Sequence, residues 1–412
     1  MTLDTDALSV PRALQRAGRW EEALAWYDAA AKRERFATWP RLEAGHALRT
    51  LGRTQEAIEC FRHALALRPH SGAAWWALAN LKTYRLTARD ADTLADAVAD
   101  PRESPGSQAL ASFALGKYHE DAREWNLSAR AYSAANALYA NRLPWEPDAH
   151  SAEVARARET YTRAWFEARS AAFGDPSPAP IFILGLPRSG STLLEQMLGS
   201  HSAIEATIEH PDLWTIGRRL TTQHPQVVSE LEPDDARALG GHYLRQIAPH
   251  RRTDKPYFID KLPDNWLYVA LIHVLLPNAR IIDMRRERRA AGFANWKQCF
   301  GHRGYRWTYE QLALGRYVRD YETLMAHFDQ VAPWRVTKMS YERLVAQPEL
   351  ELRALCAELG LPFEARMLEY WRLERPMRTA SSEQVKRPIY TDALEVWRHY
   401  APSLQVLLGV LE

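Results

Sequence analysis

The chain has 412 residues with 53 basic and 51 acidic side chains, a net charge of +2, so no strong field draws it to nucleic acid or to an anionic membrane. Cys60, Cys299 and Cys356 lie far apart with no Cys-x-x-Cys pair, which argues against a disulfide framework or a zinc site and suits a reducing compartment. No run approaches the ~20 apolar residues that span a bilayer, and the Met-Thr-Leu-Asp-Thr-Asp start lacks the regions of a signal peptide; the expectation is a soluble, cytoplasmic protein of two or three domains without a nucleic-acid or membrane partner.

The first segment repeats with a period of 34: Gly18-Arg19 returns as Gly52-Arg53, Glu22-Ala23 as Glu56-Ala57, Tyr27 as Phe61 and Ala30 as Ala64, and Pro69 closes the second unit. Small residues let paired helices approach, and the aromatic fills the gap to the next pair. Trp125, Tyr132 and Ala135 form a third, weaker copy in which Arg123 replaces the turn Gly and Ser128 the small Ala. Residues 73–82 supply a further helix. This pattern resembles the tetratricopeptide repeat, whose helix pairs stack into an array able to bind a peptide or to mediate oligomer contacts. Residues 1–140 are assigned to it.

Residues 141–178 read as a linker. Pro144 and Pro147 break the chain, 151–173 reads as one amphipathic helix with Val154, Tyr161, Trp165 and Phe166 on its apolar face, and Gly174, Pro176, Pro178 and Pro180 end it. Residues 179–412 then alternate strands and helices. Apolar runs at 181–186, 257–260, 279–284 and 335–339 predict strands, with helices near 191–199, 266–276, 309–328 and 350–359. That order implies a mostly parallel α/β sheet with its ligand beyond the C-terminal strand ends.

The first of these strands runs into Gly185-Leu-Pro-Arg-Ser-Gly190-Ser191-Thr192. A helix start here offers unpaired N–H groups to an anion. Gly190 admits close backbone approach, Arg188 adds charge, and Ser189, Ser191 and Thr192 add hydroxyls. The two glycines keep Walker A spacing, but Ser191 stands where a nucleotide triphosphatase has Lys. Pro-Arg-Ser-Gly-Ser-Thr-Leu-Leu instead resembles the 5′-phosphosulfate loop of sulfotransferases that use 3′-phosphoadenosine 5′-phosphosulfate (PAPS).

Five later segments extend the resemblance. Glu209 lies eight residues after His201, the distance at which tetratricopeptide and tyrosylprotein sulfotransferases place a catalytic Glu, although Ser202 and Ile208 replace the family's Pro and Gly. Glu205 and His210 are neighbouring candidate bases. Lys261, in Ile-Asp-Lys-Leu-Pro, matches the family Lys that reaches the bridging oxygen of PAPS. Arg286 matches the Arg of the 3′-phosphate motif; the Ser that follows it is Ala294 here, with Asn295 the nearest polar substitute. The arginine run 285–289 could equally be a solvated helix start or a polyanion patch. Tyr341, after a strand, looks like the Tyr near the nucleotide, and 378–390, with Ser381, Lys386 and Arg387, looks like the loop that closes over PAPS.

The resemblance implies transfer of a sulfuryl group from PAPS to a hydroxyl, on a peptide or protein tyrosine among other acceptors, releasing PAP (3′-phosphoadenosine 5′-phosphate) without a metal. Two alternatives stand beside it. One is a P-loop kinase or ATPase, for which Asp283 at a strand end would be the Walker B carboxylate. The other is a repeat scaffold with an inert catalytic domain, which the changes at Ala294 and Ile208 would suit.

Overall fold

The computed structural model describes residues 8–169, 173–207, 209–220, 225–301, 303–373, 375–377, 379, 382–389 and 394–412. It divides the chain into two units. One joins Met1–Pro144 with Trp296–Glu310 and Glu374–Gln384; the other joins Trp145–Asn295, Gln311–Leu373 and Val385–Glu412.

The helical unit contains α1 (Ser9–Arg16), α2 (Trp20–Arg33), α3 (Trp39–Thr50), α4 (Thr54–Leu67), α5 (Gly72–Ala79), α6 (Ala88–Ala99), α7 (Pro105–Asp121) and α8 (Trp125–Ala140). The repeated residues do what their spacing predicts. Tyr27, Phe61 and Tyr132 are buried between helices. Opposite Phe61 and Tyr132 stand Gly45 and Gly116, where an added Cβ would lie 2.4 and 2.7 Å from the ring. Gly18 (φ 72°) and Gly52 (φ 84°) make the left-handed turns between paired helices. Arg123 keeps that conformation in the third copy (φ 61°) without being Gly, so this turn carries strain that the flanking helices enforce. Ser128, in place of Ala, satisfies its hydroxyl on Gly116 O at 2.7 Å.

Two pieces of the C-terminal half complete this unit. Asn136 Nδ2 donates to Trp296 O at 2.9 Å, and Tyr139 stacks on Tyr309 with centroids 4.7 Å apart. In the second piece, Met377 N donates to Thr50 O at 3.0 Å, and Thr54 Oγ1 donates to Glu383 Oε2 at 2.8 Å.

The second unit begins with α9 (Pro147–Thr160) and α10 (Arg163–Ala168). The single helix expected over 151–173 is therefore broken. Thr162 is extended, and its hydroxyl accepts from Trp165 N at 3.2 Å, so it caps a new helix instead of continuing the old one. Pro147 sits in the first turn of α9, where a missing N–H costs nothing. Val154, Tyr161, Trp165 and Phe166 are all buried, as their periodicity requires.

A five-stranded parallel sheet follows: β1 (Pro180–Leu184), β2 (Ile204–Ala206), β3 (Tyr257–Lys261), β4 (Arg280–Arg285) and β5 (Thr337–Ser340), in the order β2-β3-β1-β4-β5. Helical repeats followed by a parallel α/β sheet is the fold class the sequence implied. Central β1 is buried at every position, which explains its unbroken apolar run. The register sets Ile183 beside both Lys261 and Ile282, so β1, β3 and β4 end side by side.

Gly116→Ala tests the aromatic packing. Its methyl group would enter the Tyr132 ring, and the expected cost is roughly 1–3 kcal/mol, read from the urea midpoint at unchanged m-value.

Candidate active site

Three positive φ values within six residues shape the turn after β1: Gly185 (133°), Arg188 (66°) and Gly190 (99°). Gly190 cannot be replaced without movement, because a Cβ there would lie 2.4 Å from Tyr341 Cδ2. It is the N-cap of α11 (Ser191–Gly199), and the carbonyl of this cap accepts from Leu193 N and Leu194 N. The N–H groups of the first helical turn therefore point out of the helix toward the loop. Ser189, Ser191 and Thr192 are buried around them. The Ser189 hydroxyl finds no hydrogen-bond partner among the described residues. A buried hydroxyl left open beside a helix N-terminus suits an anionic ligand.

Arg286 reaches this turn from the end of β4. Its Nη1 donates to Arg188 O at 3.0 Å, and its guanidinium lies 4.8 Å from the Tyr341 ring centroid. Tyr341, which begins the helix after β5, thus touches both Gly190 and Arg286. Asn295 is fully buried and spends its amide donors on Pro187 O (2.8 Å) and Ala291 O (2.9 Å); it braces the turn from below. Ala294 is buried beside it. Lys386 is partly exposed and Arg387 exposed, with Arg387 O accepting from Tyr370 OH at 2.9 Å. Ser381 and Ile208 lie outside the described residues.

Lys261 and Glu209 meet, although 52 residues separate them: Lys261 Nζ donates to Glu209 Oε1. Lys261 is 2% exposed and the Glu209 side chain 32%. The segment carrying Glu209 is tied to β3, since Thr207 Oγ1 donates to Ile259 O at 2.6 Å. His201 orders its beginning: Nδ1 accepts from Ala203 N (3.0 Å), and Nε2 faces Pro362 O (2.8 Å). The neighbouring candidate bases fare differently. Glu205 is held by Arg252 N, Thr253 Oγ1 and Arg251. His210 is buried against His250, and burial, then that ring's charge, pushes its pKa down to about 4.

One residue of this cluster had no sequence signal of its own. Glu195, on α11, is 3% exposed, and its Oε2 lies 3.8 Å from Lys261 Nζ. It sits among Leu193, Leu194, Met197 and Leu198, whose apolar face masked it. The clue available was its i+4 spacing from Ser191, which puts both on one side of the helix.

Asp283 is enclosed. Tyr321 OH donates to its Oδ1 (2.6 Å) and Arg285 Nε to its Oδ2 (2.5 Å), and burial raises its pKa. Both oxygens face protein donors, which does not suit a Walker B metal ligand.

Residues 180–365 match the sulfotransferase family, and residues 37–81 match the tetratricopeptide repeat. An uncharacterised protein of Aquifex aeolicus (strain VF5) is 29% identical over 383 residues, 90% of this chain and 50% of that protein. Protein-tyrosine sulfotransferase A of Caenorhabditis elegans is 24% identical over 232 residues, 53% of this chain and 60% of the relative. The chain thus spans between half and three-fifths of the length of these two relatives. Among solved structures, the sulfotransferase domain from the Synechococcus PCC 7002 olefin synthase aligns with a TM-score of 0.42 and 20% identity, covering 58% of this chain and 96% of that one.

Beneath the site, burial pushes Asp260 up to about 7, although Tyr243 OH donates to it at 2.6 Å. A carboxyl raised in the folded state favours folding below its unfolded pKa, and that contribution is lost as pH rises through about 7. Asp260→Asn should therefore gain stability relative to the parent between pH 4.5 and 7.5, by at most about 4 kcal/mol. Urea unfolding of both proteins at the two pH values measures this, and a constant difference would mean that Asp260 ionises normally.

Proposed function

With a sulfotransferase-family domain over residues 180–365 and a tetratricopeptide repeat over 37–81, this chain, we propose, is a sulfotransferase that moves a sulfuryl group from PAPS to a hydroxyl acceptor. The observation that carries the proposal is the pairing of Lys261 with Glu209 at a strand end next to an anion-binding turn that lacks a P-loop Lys.

When bound, PAPS supplies the sulfuryl group and a phosphate leaving group. The N–H groups at the start of α11, Arg188, the Ser189, Ser191 and Thr192 hydroxyls, and Gly190 would hold its 5′-phosphosulfate. Arg286 would take the 3′-phosphate beside Tyr341. Asn295 acts on this site through Pro187. Lys386 and Arg387 are proposed to neutralise further donor charge, and Ser381, outside the described residues, is proposed to join them from the sequence alone.

Glu209 serves as the base. Its carboxylate rests on Lys261 and must turn from it to accept the acceptor's proton. Lys261 meets charge as it develops on the leaving oxygen. No part of this assignment uses a metal. The acceptor is proposed to be a tyrosyl or other hydroxyl of a peptide or protein, supported by the repeats and by the names of relatives such as the C. elegans enzyme.

The direct test is incubation with labelled PAPS, a peptide pool and excess EDTA. Label should move to an acceptor, and strict dependence on magnesium would count against the reading. Glu209→Gln should keep PAP binding and lose roughly 10²–10⁴ in turnover; near-normal turnover would move the base elsewhere.

Arg286→Ala separates the two phosphate sites. Because Arg286 also holds Arg188 O, binding of both PAP and adenosine 5′-phosphate should weaken. PAP should weaken more, by a further ~1.5–3 kcal/mol, roughly 10–150-fold, in calorimetry at fixed salt. An unchanged ratio of the two affinities would place the 3′ site on other residues.

A further inference from the structure

We propose that Glu195 is a positioning residue, the fixed counter-ion that keeps Lys261 at the leaving oxygen once Glu209 has turned to the acceptor; this rests on the sulfotransferase reading above.

Two different carboxylates face the Lys261 ammonium. Glu209 comes from a loop and has a side chain 32% exposed. Glu195 comes from the middle of α11, is 3% exposed, and lies 3.8 Å away through Oε2. A helical side chain leans toward the turn before it, so Glu195 reaches back along the helix toward Ser191 and the anion-binding end. Lys261 comes up from the end of β3, paired in register with Ile183 of β1. Both partners of this contact therefore stand on regular secondary structure, whereas the Glu209 contact has a loop on one side.

The balance of the reaction separates their roles. The acceptor O–H gives its proton to Glu209, the new O–S bond forms, and the S–O bond to phosphate breaks with its electron pair left on the phosphate oxygen. A protonated Glu209 no longer balances Lys261, at the moment when negative charge appears on the opposite side. Lysine is a point charge on a flexible four-carbon stem. Held only by Glu209, it would be free to follow that carboxylate toward the acceptor. Glu195 gives it a second tether that does not take part in proton transfer. The arrangement has a cost, because a carboxylate one helical turn from a phosphate cradle opposes donor binding. No merely structural role combines these two effects: Glu195 should lower donor affinity while raising turnover.

The experiment is a double-mutant cycle with Glu195→Gln and Lys261→Met in the full chain, with saturating acceptor, PAP calorimetry and urea unfolding. In the parent background, Glu195→Gln should lower kcat roughly tenfold or more, with the PAPS KM and PAP Kd unchanged or lower. In the Lys261→Met background the same change should have little further effect on kcat. Glu195→Asp, which keeps the charge but withdraws it by one methylene, should fall between parent and Glu195→Gln and serves if the Gln variant folds poorly.

Parental kcat in Glu195→Gln, an equal loss in both backgrounds, or a loss of PAP binding in step with kcat would overturn the proposal. A parent that neither binds PAP nor transfers label would instead remove the function on which it rests. The unfolding cycle still decides the contact in that case: coupling between the two substitutions is expected, and additivity would overturn the pairing itself.

Discussion

The turn between β1 and α11 constrains the rest of the domain. To present helix N–H groups to an anion, the backbone must reverse within Gly185–Gly190, and it does so with Arg188 held at φ 66°. A non-glycine residue in that conformation costs roughly 1–3 kcal/mol and persists only where the surroundings impose it. The surroundings are visible here. Asn295 holds Pro187 O, Arg286 holds Arg188 O, and the Tyr341 ring closes on Gly190. Three elements that arrive late in the chain are thus spent on one early turn. In the sheet, β4 and then β5 lie to one side of β1, and β3, which brings Lys261, lies on the other.

The helical unit shows a comparable exchange between local strain and packing. Its first two turns use Gly at positive φ, whereas the third uses Arg123. The third helix pair keeps its geometry because the contacts around it are extensive: Tyr132 packs on Gly116, Asn136 grips Trp296 O, and Tyr139 stacks on Tyr309. Packing supplied by residues 296–310 offsets a turn that local preference disfavours. Met377 and Glu383 are held through Thr50 and Thr54, which lie at the junction of α3 and α4 in the second repeat.

Much of this was legible in the sequence, and the omissions have physical causes. The apolar runs that became β1, β3 and β4 are buried in a parallel sheet and carry no competing period. α11 starts and stops where its turn and its apolar spacing say. The resemblance gave Glu209 and Lys261 separate roles, and their contact was not legible, since no local pattern links residues so far apart. β2 was missed because three residues give no alternation to count. The break at Thr162 was missed because Tyr161, Trp165 and Phe166 kept helical spacing across it, and only the Thr hydroxyl marked a new cap. Glu195 was hidden by the apolar residues around it. The allocation of 296–310 and 374–384 to the helical unit depends on contacts distant in sequence.

The missing P-loop Lys then acquires a physical explanation. In a magnesium-nucleotide site, the loop Lys and a strand-end carboxylate with its metal share the work of neutralising transferred phosphate. Here the strand-end carboxylate, Asp283, is turned inward to Tyr321 and Arg285, and position 191 is Ser. The cation comes instead from β3, one strand over, as Lys261, where it meets a carboxylate able to take a proton. Moving the cation off the loop brings it next to Glu209, the proposed base. That proximity is of no use for cleaving a triphosphate with metal-bound water, but it suits a reaction in which one hydroxyl must lose a proton as one oxygen gains charge. In the proposed mechanism, the Lys261 contact covers Glu209 at rest, so that displacement of Glu209 from Lys261 becomes part of assembling the reactive site.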